Sequence, residues 1–417
     1  MIARHEVGMI GDLLLGIAAL TGMAATLAVI IGFFVRAGGL KADREFLALG
    51  RPEDLADFPY VTIVIPARNA ECHIGPCLES LLDLDYPHFE ILVVDDHSTD
   101  RTAETVREIM EKRAPLQDVR LFLLGDDPGE GGIEWVWGKS RALWHGAQQA
   151  QGDWLLFVDA DTRQKPDTLW RALTLARRHD LGALSMTGVS VIPGLWGEVL
   201  EVVVYPAIFL AVSWRRVNEP DDPAAWMNGQ FILYDRTVYL AVDGHRAVAG
   251  FVSEDTALAI HSKERRVRFL FLPVTSAYES RDFGNLNEAF RGWTRRLAVG
   301  GARLRLRRRS YVLEAGVLFL VGIWPVLASA AGLLGSLGGR VIFGMSFGSL
   351  ALAQLGLVII FQGVIRAVMR KPVWPSVLAP LGAALGIGVV VAGYRARFLK
   401  KAVECRGRSL HVNDDVD

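Results

Sequence analysis

Residues 60–98 read YVTIVIPARNAECHIGPCLESLLDLDYPHFEILVVDDHS. Tyr60–Pro66 is a β-branched run stopped by proline, the pattern of a buried strand. Ala70–Leu82 places Ile74, Leu78, Leu81 and Leu82 on one helical face. Glu90–Asp95 is a second strand, and Ser98-Thr99-Asp100 opens a helix with Glu104 nearby. The alternation continues with a strand at Val119–Leu124, a helix at Lys139–Ala150 and a strand at Asp153–Asp159. This rhythm predicts an α/β fold with a parallel, helix-covered sheet whose ligands bind at the carboxyl ends of the strands. Two of those strands run directly into acids, Asp95 and Asp96 after one, Asp159 and Asp161 after the other.

Around this region the chain changes character. Of 417 residues, 51% are hydrophobic and 22% charged, and the mean hydropathy is +0.27. That balance excludes a disordered or fibrous chain and is too apolar for a wholly soluble one. Lys and Arg total 45 against 46 Asp and Glu, a net charge of −1, so nothing points to nucleic acid. Cys72, Cys77 and Cys405 cannot build a disulfide framework, and Cys72 and Cys77 lack zinc-pair spacing, which suits a reducing compartment.

Four uncharged runs are long enough for a bilayer, which takes about 20 helical residues: Leu13–Val35, Ala315–Gly339, Val341–Ile365 and Val373–Tyr394. The expected plan is an anchor over 1–36, a cytoplasmic catalytic domain over 58–300, membrane helices over 311–396 and a tail over 397–417. Arg36, Lys41 and Arg44 before the soluble region, and Arg303 through Arg309 after it, place that region in the cytoplasm of a multi-pass protein, as in a bacterial inner membrane. Arg395, Arg397, Lys400 and Lys401 conflict with a fourth crossing, so Val373–Tyr394 either breaks the rule or re-enters the membrane. Leu195–Trp214, interrupted by Glu198, Glu201 and Pro206, reads as an interfacial helix or as a buried helix of the soluble domain.

Within the soluble region, Asp159-Ala160-Asp161 is the sharpest chemical signal. Two carboxylates leaving a buried strand can share a hard divalent cation, and Mg²⁺ prefers a few carboxylates plus phosphates and waters. Asp96, beside Asp95, suits a nucleobase ring N–H. Lys139 either meets a phosphate or is a solvated lysine at a helix start. Glu254 and Asp255 either stabilise a helix start through its dipole or supply a general base. Arg291 and Arg295 in FRGWTRR (Phe290–Arg296) either neutralise a departing diphosphate or form a membrane-surface cluster. Gly229 allows close backbone approach or a turn, and Gly129, Gly131 and Gly132 read as a flexible loop.

Ile65-Pro66-Ala67-Arg68-Asn69-Ala70-Glu71, Val94-Asp95-Asp96-His97-Ser98, Gly138-Lys139 and Val158-Asp159-Ala160-Asp161 occur in this order. Together they resemble the family 2 inverting glycosyltransferases over roughly Pro59–Arg296. The flanking apolar segments look like those of the lipid-modifying members, among them hopene-associated, ceramide and carotenoid glycosyltransferases. The resemblance implies a GT-A (Rossmann-like) nucleotide-sugar domain. It implies that Pro66, Ala67, Arg68, Asn69, Asp95 and Asp96 line the nucleoside pocket, with Glu71, an acid displaced by Ala70, counted among them. Lys139 would lie near the donor, Asp159 and Asp161 would hold Mg²⁺ or Mn²⁺ on the diphosphate, Asp255 would be the base, and Glu254 would stand with Arg291 and Arg295 at the diphosphate or acceptor. The implied partners are a nucleotide sugar, with UDP-sugars favoured, a lipid acceptor and the bilayer. The implied reaction is transfer of a sugar to a lipid hydroxyl with inversion. The alternative is a processive polysaccharide synthase secreting through its membrane bundle. Where such synthases and ceramide enzymes carry a Gln/Arg-x-x-Arg-Trp motif, this chain has Arg291-Gly292-Trp293-Thr294-Arg295, which argues against both.

Overall fold

In the computed structural model the described residues are 20–32, 44–49, 59–113, 118–125, 135, 138–201, 213–251, 253–281, 283–303, 308–327, 341–342, 345–400, 402–405 and 408–411. They fall into two compact units, one of 37–191 with 212–282, the other of 1–36, 192–211 and 283–417.

The first unit is built on strands β1 (Val61–Ala67), β2 (Phe89–Asp95), β3 (Asp118–Leu123), β4 (Trp154–Phe157), β5 (Thr162–Gln164), β6 (Ala183–Thr187), β7 (Val189–Ser190), β8 (Ile232–Asp235), β9 (Phe269–Pro273) and β10 (Tyr278–Ser280). Helices α1 (Ile74–Leu82), α2 (Thr102–Arg113), α3 (Gly138–Gln148), α4 (Thr168–Arg178), α5 (Trp214–Val217), α6 (Arg236–Ala241) and α7 (Glu254–Glu264) join them. The main sheet runs β3-β2-β1-β4-β8-β6-β9, and a small one runs β5-β10-β7.

The predicted parallel sheet holds for every strand of the main sheet but β8, since β6 runs with β4 across it and β9 pairs parallel with β6. β1 pairs parallel with β2 and β4, and β2 with β3. β8, however, lies antiparallel to both β4 and β6. A strand fed by a covering helix must run parallel to its predecessor, whereas β8 follows a long excursion and is free of that constraint. The first helix also begins later than Ala70, because Ala70–His73 form turns ahead of α1.

Alternation along the parallel strands buries both faces. Ile63, Ile65, Ile91 and Val93 share a fully buried cluster with Ile74, Leu78, Leu81, Trp170 and Leu173. On the other face α3 lies so close that a methyl at Gly146 would overlap Val64. Glu90 is tolerated inside β2 because its carboxylate accepts from Thr62 Oγ1 (2.6 Å) and the Gln151 amide (2.8 Å) and pairs with Arg120. Buried charge is stable only when so partnered.

The second unit is helical, with α8 (Leu286–Arg303), α9 (Arg308–Leu318), α10 (Phe347–Val368) and α11 (Ala379–Tyr394). Two continuous helices, Ser349–Val368 and Trp374–Leu399, are long and apolar enough to cross a membrane, and Leu20–Gly32 and Ala315–Leu327 are shorter apolar helices. Of the expected spans, 13–19, 33–35, 328–339 and 343–344 lie outside the described residues. The third run is shifted: Val341 and Ile342 form a short strand, and the helix continues through Arg366. Arg366 is accommodated there because it pairs with Glu198, while Lys371 pairs with Glu201. Pro375 and Pro380 do not break the last helix, since each sits in an opening turn where no intrahelical N–H is needed. Gln354 donates to Thr26 Oγ1 and to the Leu320 carbonyl, both at 3.0 Å, tying the first apolar helix to two later ones.

One buried polar pair makes the first unit acid-sensitive. His245 is fully buried, hydrogen-bonded through Nδ1 to the Tyr239 hydroxyl (2.8 Å) and edge-on to Phe157. Burial, and secondarily the Lys139 charge, pulls its pKa down to about 3. The unfolded chain therefore binds a proton that the folded one refuses, and stability falls as pH drops below about 6.5. Thermal unfolding should show a loss of about 2 kcal/mol from this group between pH 7.5 and 5, and His245→Leu should flatten that slope. An unchanged slope would remove His245 as its source.

Candidate active site

Two clusters form at the carboxyl edge of the main sheet. The first joins the ends of β1 and β2. Pro66 and Ala67 are buried, in register with Val94 and Asp95. Arg68 Nη1 reaches the Asp96 carbonyl (3.0 Å) and its Oδ2 (3.3 Å), while His97 Nδ1 meets Asp96 Oδ1 at 3.0 Å. Asp95 Oδ1 accepts the Ser98 amide at 2.8 Å, and the Ser98 hydroxyl accepts the Asn69 amide at 3.0 Å. Asn69 Oδ1 takes the Thr99 amide at 2.8 Å. Glu71 accepts from the Arg101 amide (3.1 Å) and donates its own amide to Asp100 (3.0 Å). Asn69 and His97 both adopt positive φ, 47° and 58°, at the sharp exits from the strands. The two loops are thus stapled to each other, leaving Asp96 buried at the edge with Arg68 and His97 around it.

The second cluster is centred on Lys139, in the first turn of α3. Its Nζ lies 2.7 Å from Asp159 Oδ1 and 2.7 Å from Glu254 Oε1. Asp159 leaves β4, and its carbonyl is pinned by the Thr162 amide (3.1 Å) and hydroxyl (2.8 Å). Glu254 and Asp255 open α7. The Asp255 carboxylate accepts the Thr256 amide at 2.7 Å through Oδ1 and the Gly229 amide at 3.2 Å through Oδ2. Asp161 follows half-buried, and its carbonyl accepts the Arg281 amide at 2.9 Å. Burial pulls the Lys139 ammonium down, but the carboxylates of Asp159, Glu254 and Asp255 outweigh it and hold the pKa well above the ordinary lysine value. Burial pushes the Glu254 carboxyl up, partly offset by Lys139.

Among the described residues no three His, Cys, Asp or Glu side chains gather as a metal cage. Asp159 and Asp161 instead offer two hard oxygen donors, which fits a cation whose shell is completed by phosphate oxygens and water.

The sequence-derived residues are therefore gathered in part. Lys139, Asp159, Glu254 and Asp255 converge, Asp161 adjoins them, and Arg68 and Asp96 pair at the neighbouring edge. Asn69 and Glu71 are engaged as loop cross-links. Arg291 and Arg295 lie on α8 in the second unit. Gly129, Gly131, Gly132 and Trp137 lie outside the described residues. Gly229 was legible as a place of close approach, but not its target: a methyl added there would stand 2.9 Å from Lys139 Nζ and 3.4 Å from Glu254 Oε1. Asn228 and Asp100 carried no such signal.

Residues 62–198 match the family described as Glycosyl transferase family 2. They form a family 2 glycosyltransferase domain. The chain is 26% identical over 410 residues to 4,4'-diaponeurosporenoate glycosyltransferase of Staphylococcus aureus (strain bovine RF122 / ET3-1), covering 94% of this chain and 99% of that protein. It is 24% identical over 313 residues to the protein of the same name from Staphylococcus haemolyticus, covering 73% and 77%. The fold resembles the structure of the mannosyltransferase PcManGT from Pyrobaculum calidifontis in complex with GDP-Man and Mn2+. There the TM-score is 0.50 at 18% identity, over 93% of this chain and 99% of that one. The mixed α/β sheet is like that of this mannosyltransferase, and the family match lies within the first unit and the stretch that follows it.

Removing the shared cation tests the second cluster. Lys139→Met leaves the Asp159 and Glu254 carboxylates facing one another, and the transferase domain should lose about 2 kcal/mol in thermal unfolding at pH 7.5. The deficit should shrink at pH 5.5 as Glu254 takes a proton. A wild-type midpoint at both pH values would show that the ammonium does not hold these acids together.

Proposed function

We propose that the enzyme transfers a sugar from a nucleotide diphosphate, a UDP-sugar in the favoured case, to the hydroxyl of a lipid acceptor at a membrane surface, inverting the anomeric centre. The observation that carries this reading is the convergence of Lys139, Asp159, Glu254 and Asp255 at one sheet edge, beside the Arg68–Asp96 pair.

Asp96 with Arg68, backed by Pro66, Ala67, Asn69, Glu71 and Asp95, receives the nucleoside. Asp159 and Asp161 hold Mg²⁺ or Mn²⁺, which when bound draws charge from the departing diphosphate. Lys139 offers a fixed positive charge to the same phosphates, the place its ammonium already occupies between two acids. Asp255 takes the proton of the acceptor hydroxyl. Its carboxylate is aimed by two backbone amides and needs no reorganisation before attack. One displacement at the anomeric carbon then inverts it.

Support for a lipid acceptor comes from the carotenoid in the name borne by both staphylococcal relatives and from the chain's apolar helices. That name is of a carboxylate, and the hydroxyl is assigned here because it gives Asp255 a proton to take. We assign residues 1–36 and 311–396 to the membrane, 58–300 to the cytoplasmic catalytic domain and 397–417 to a tail. The 195–214 stretch reads as interfacial. Its described part exposes Leu195 and Trp196, and Glu198 and Glu201 bind Arg366 and Lys371 near the end of an apolar helix. Arg291 and Arg295, on a helix of that same unit, are assigned to the diphosphate or the acceptor.

The test uses the full chain in vesicles of total bacterial lipid extract, with Mn²⁺ and labelled UDP- and GDP-sugars in turn. Label should enter the organic phase, and Asp255→Asn should cut the rate on the order of 10²-fold or more. Label recovered as a high-mass polymer would replace this reading with that of a synthase. Activity that survives full chelation would remove Asp159 and Asp161 as cation ligands.

A further inference from the structure

The turn that precedes β8 is held far more firmly than a turn needs. The Asn228 side-chain amide donates to Thr187 Oγ1 (3.0 Å) and to the Tyr278 hydroxyl (3.1 Å), and its Oδ1 accepts the Gln230 amide at 3.2 Å. The Asn228 amide donates to Ser185 Oγ at 2.8 Å, and the Phe231 amide returns to the Asn228 carbonyl at 3.0 Å. Ser185 and Tyr278 are both fully buried, and the Tyr278 hydroxyl donates onward to the Met186 carbonyl at 3.0 Å. Gln230 Nε2 reaches Ser280 Oγ at 2.7 Å. From the other side, the loop entering the turn is folded round a cation. Lys263 Nζ donates to the carbonyls of Arg216 (3.3 Å), Glu219 (2.8 Å), Asp222 (2.6 Å) and Ala224 (2.6 Å).

All of this fixes Gly229, whose amide meets Asp255 Oδ2 and whose bare Cα faces Lys139 and Glu254. We propose that Asn228 is a positioning residue for the transfer step, acting through the Gly229 amide to set the Asp255 carboxylate against the acceptor hydroxyl. The inference rests on the assignment of Asp255 as the base. The chemistry requires an amide. Tyr278 spends its proton on Met186 and so presents a lone pair to Asn228, which a carboxylate at 228 would repel. Only a side chain that donates there while accepting from Gln230 locks the turn from both ends. A carboxylate displaced by a fraction of an ångström still lets the nucleotide sugar bind, since Asn228's own contacts are to Ser185, Thr187, Tyr278 and Gln230 and the Lys139 ammonium stays held by Asp159 and Glu254. It does spoil the approach of the base to the acceptor proton, where small errors are costly.

The experiment uses the full chain in the same lipid-extract vesicles, with whichever labelled sugar nucleotide the wild type turns over. Asn228→Ala should lower kcat on the order of 10–100-fold, with KM for the sugar nucleotide held within about twofold because ground-state binding is untouched. Asn228→Ser, which keeps an oxygen for the Gln230 amide but loses the donors to Tyr278, should fall between the two and serves if the alanine variant does not fold. The deciding measurement is the double variant. If Asn228 acts through Asp255, Asn228→Ala added to Asp255→Asn costs no further activity, whereas a general structural role multiplies the losses. An inactive Asp255→Asn beside an Asn228→Ala of wild-type kcat, or one changed only in KM, overturns the inference and leaves the base assignment standing. A fully active Asp255→Asn overturns the base assignment itself.

Discussion

A single ammonium group holds the acidic edge of the sheet together. Lys139 brings together acids from the end of β4 and the start of α7, segments far apart in the chain, by standing within hydrogen-bond distance of both Asp159 and Glu254. Like charges this close, largely removed from water, would otherwise force one another apart or take up protons. The constraint propagates outward. A side chain at Gly229 would push the lysine's ammonium from its place, and α3 lies tight on the sheet, which Gly146 permits.

The reversal of β8 completes the arrangement. Because β8 runs antiparallel, its first residue, Ile232, is in register with Phe157 at the end of β4. The turn before β8 therefore emerges at the same edge as the acids after β4. β6, antiparallel to β8, brings its own carboxyl end, with Ser185 and Thr187, to that turn. One edge thus collects the loops that follow β1, β2, β4 and β6 together with the turn before β8.

Much of the sheet from β1 to β4 was readable in advance because its signals are local. Apolar runs ended by Pro66, by Asp95 and by Asp159 mark strands whatever they pair with, and acids at strand ends declare themselves by type and position. The reversal of β8 was not readable, since strand direction is settled by pairing across the sheet and leaves no periodicity in the sequence. Asn228 illustrates the same limit at the scale of a side chain. Its partners, Thr187 and Tyr278, are remote in sequence, and a lone Asn beside a Gly reads as an ordinary turn. In the second unit, Arg366 marked the end of an apolar run in the sequence, yet the helix continues through it. The reason is a partner, Glu198, that no local pattern could supply.

The Gln354 contacts carry a practical lesson for anyone preparing this protein. An amide deep among apolar helices is tolerable only while the Thr26 hydroxyl and the Leu320 carbonyl receive its hydrogens. Trimming the first helix strips away one of those receivers and leaves a polar group unsatisfied among apolar side chains. Shortened versions that keep the later helices would then fail through their remaining bundle, even though nothing near the chemistry had been removed.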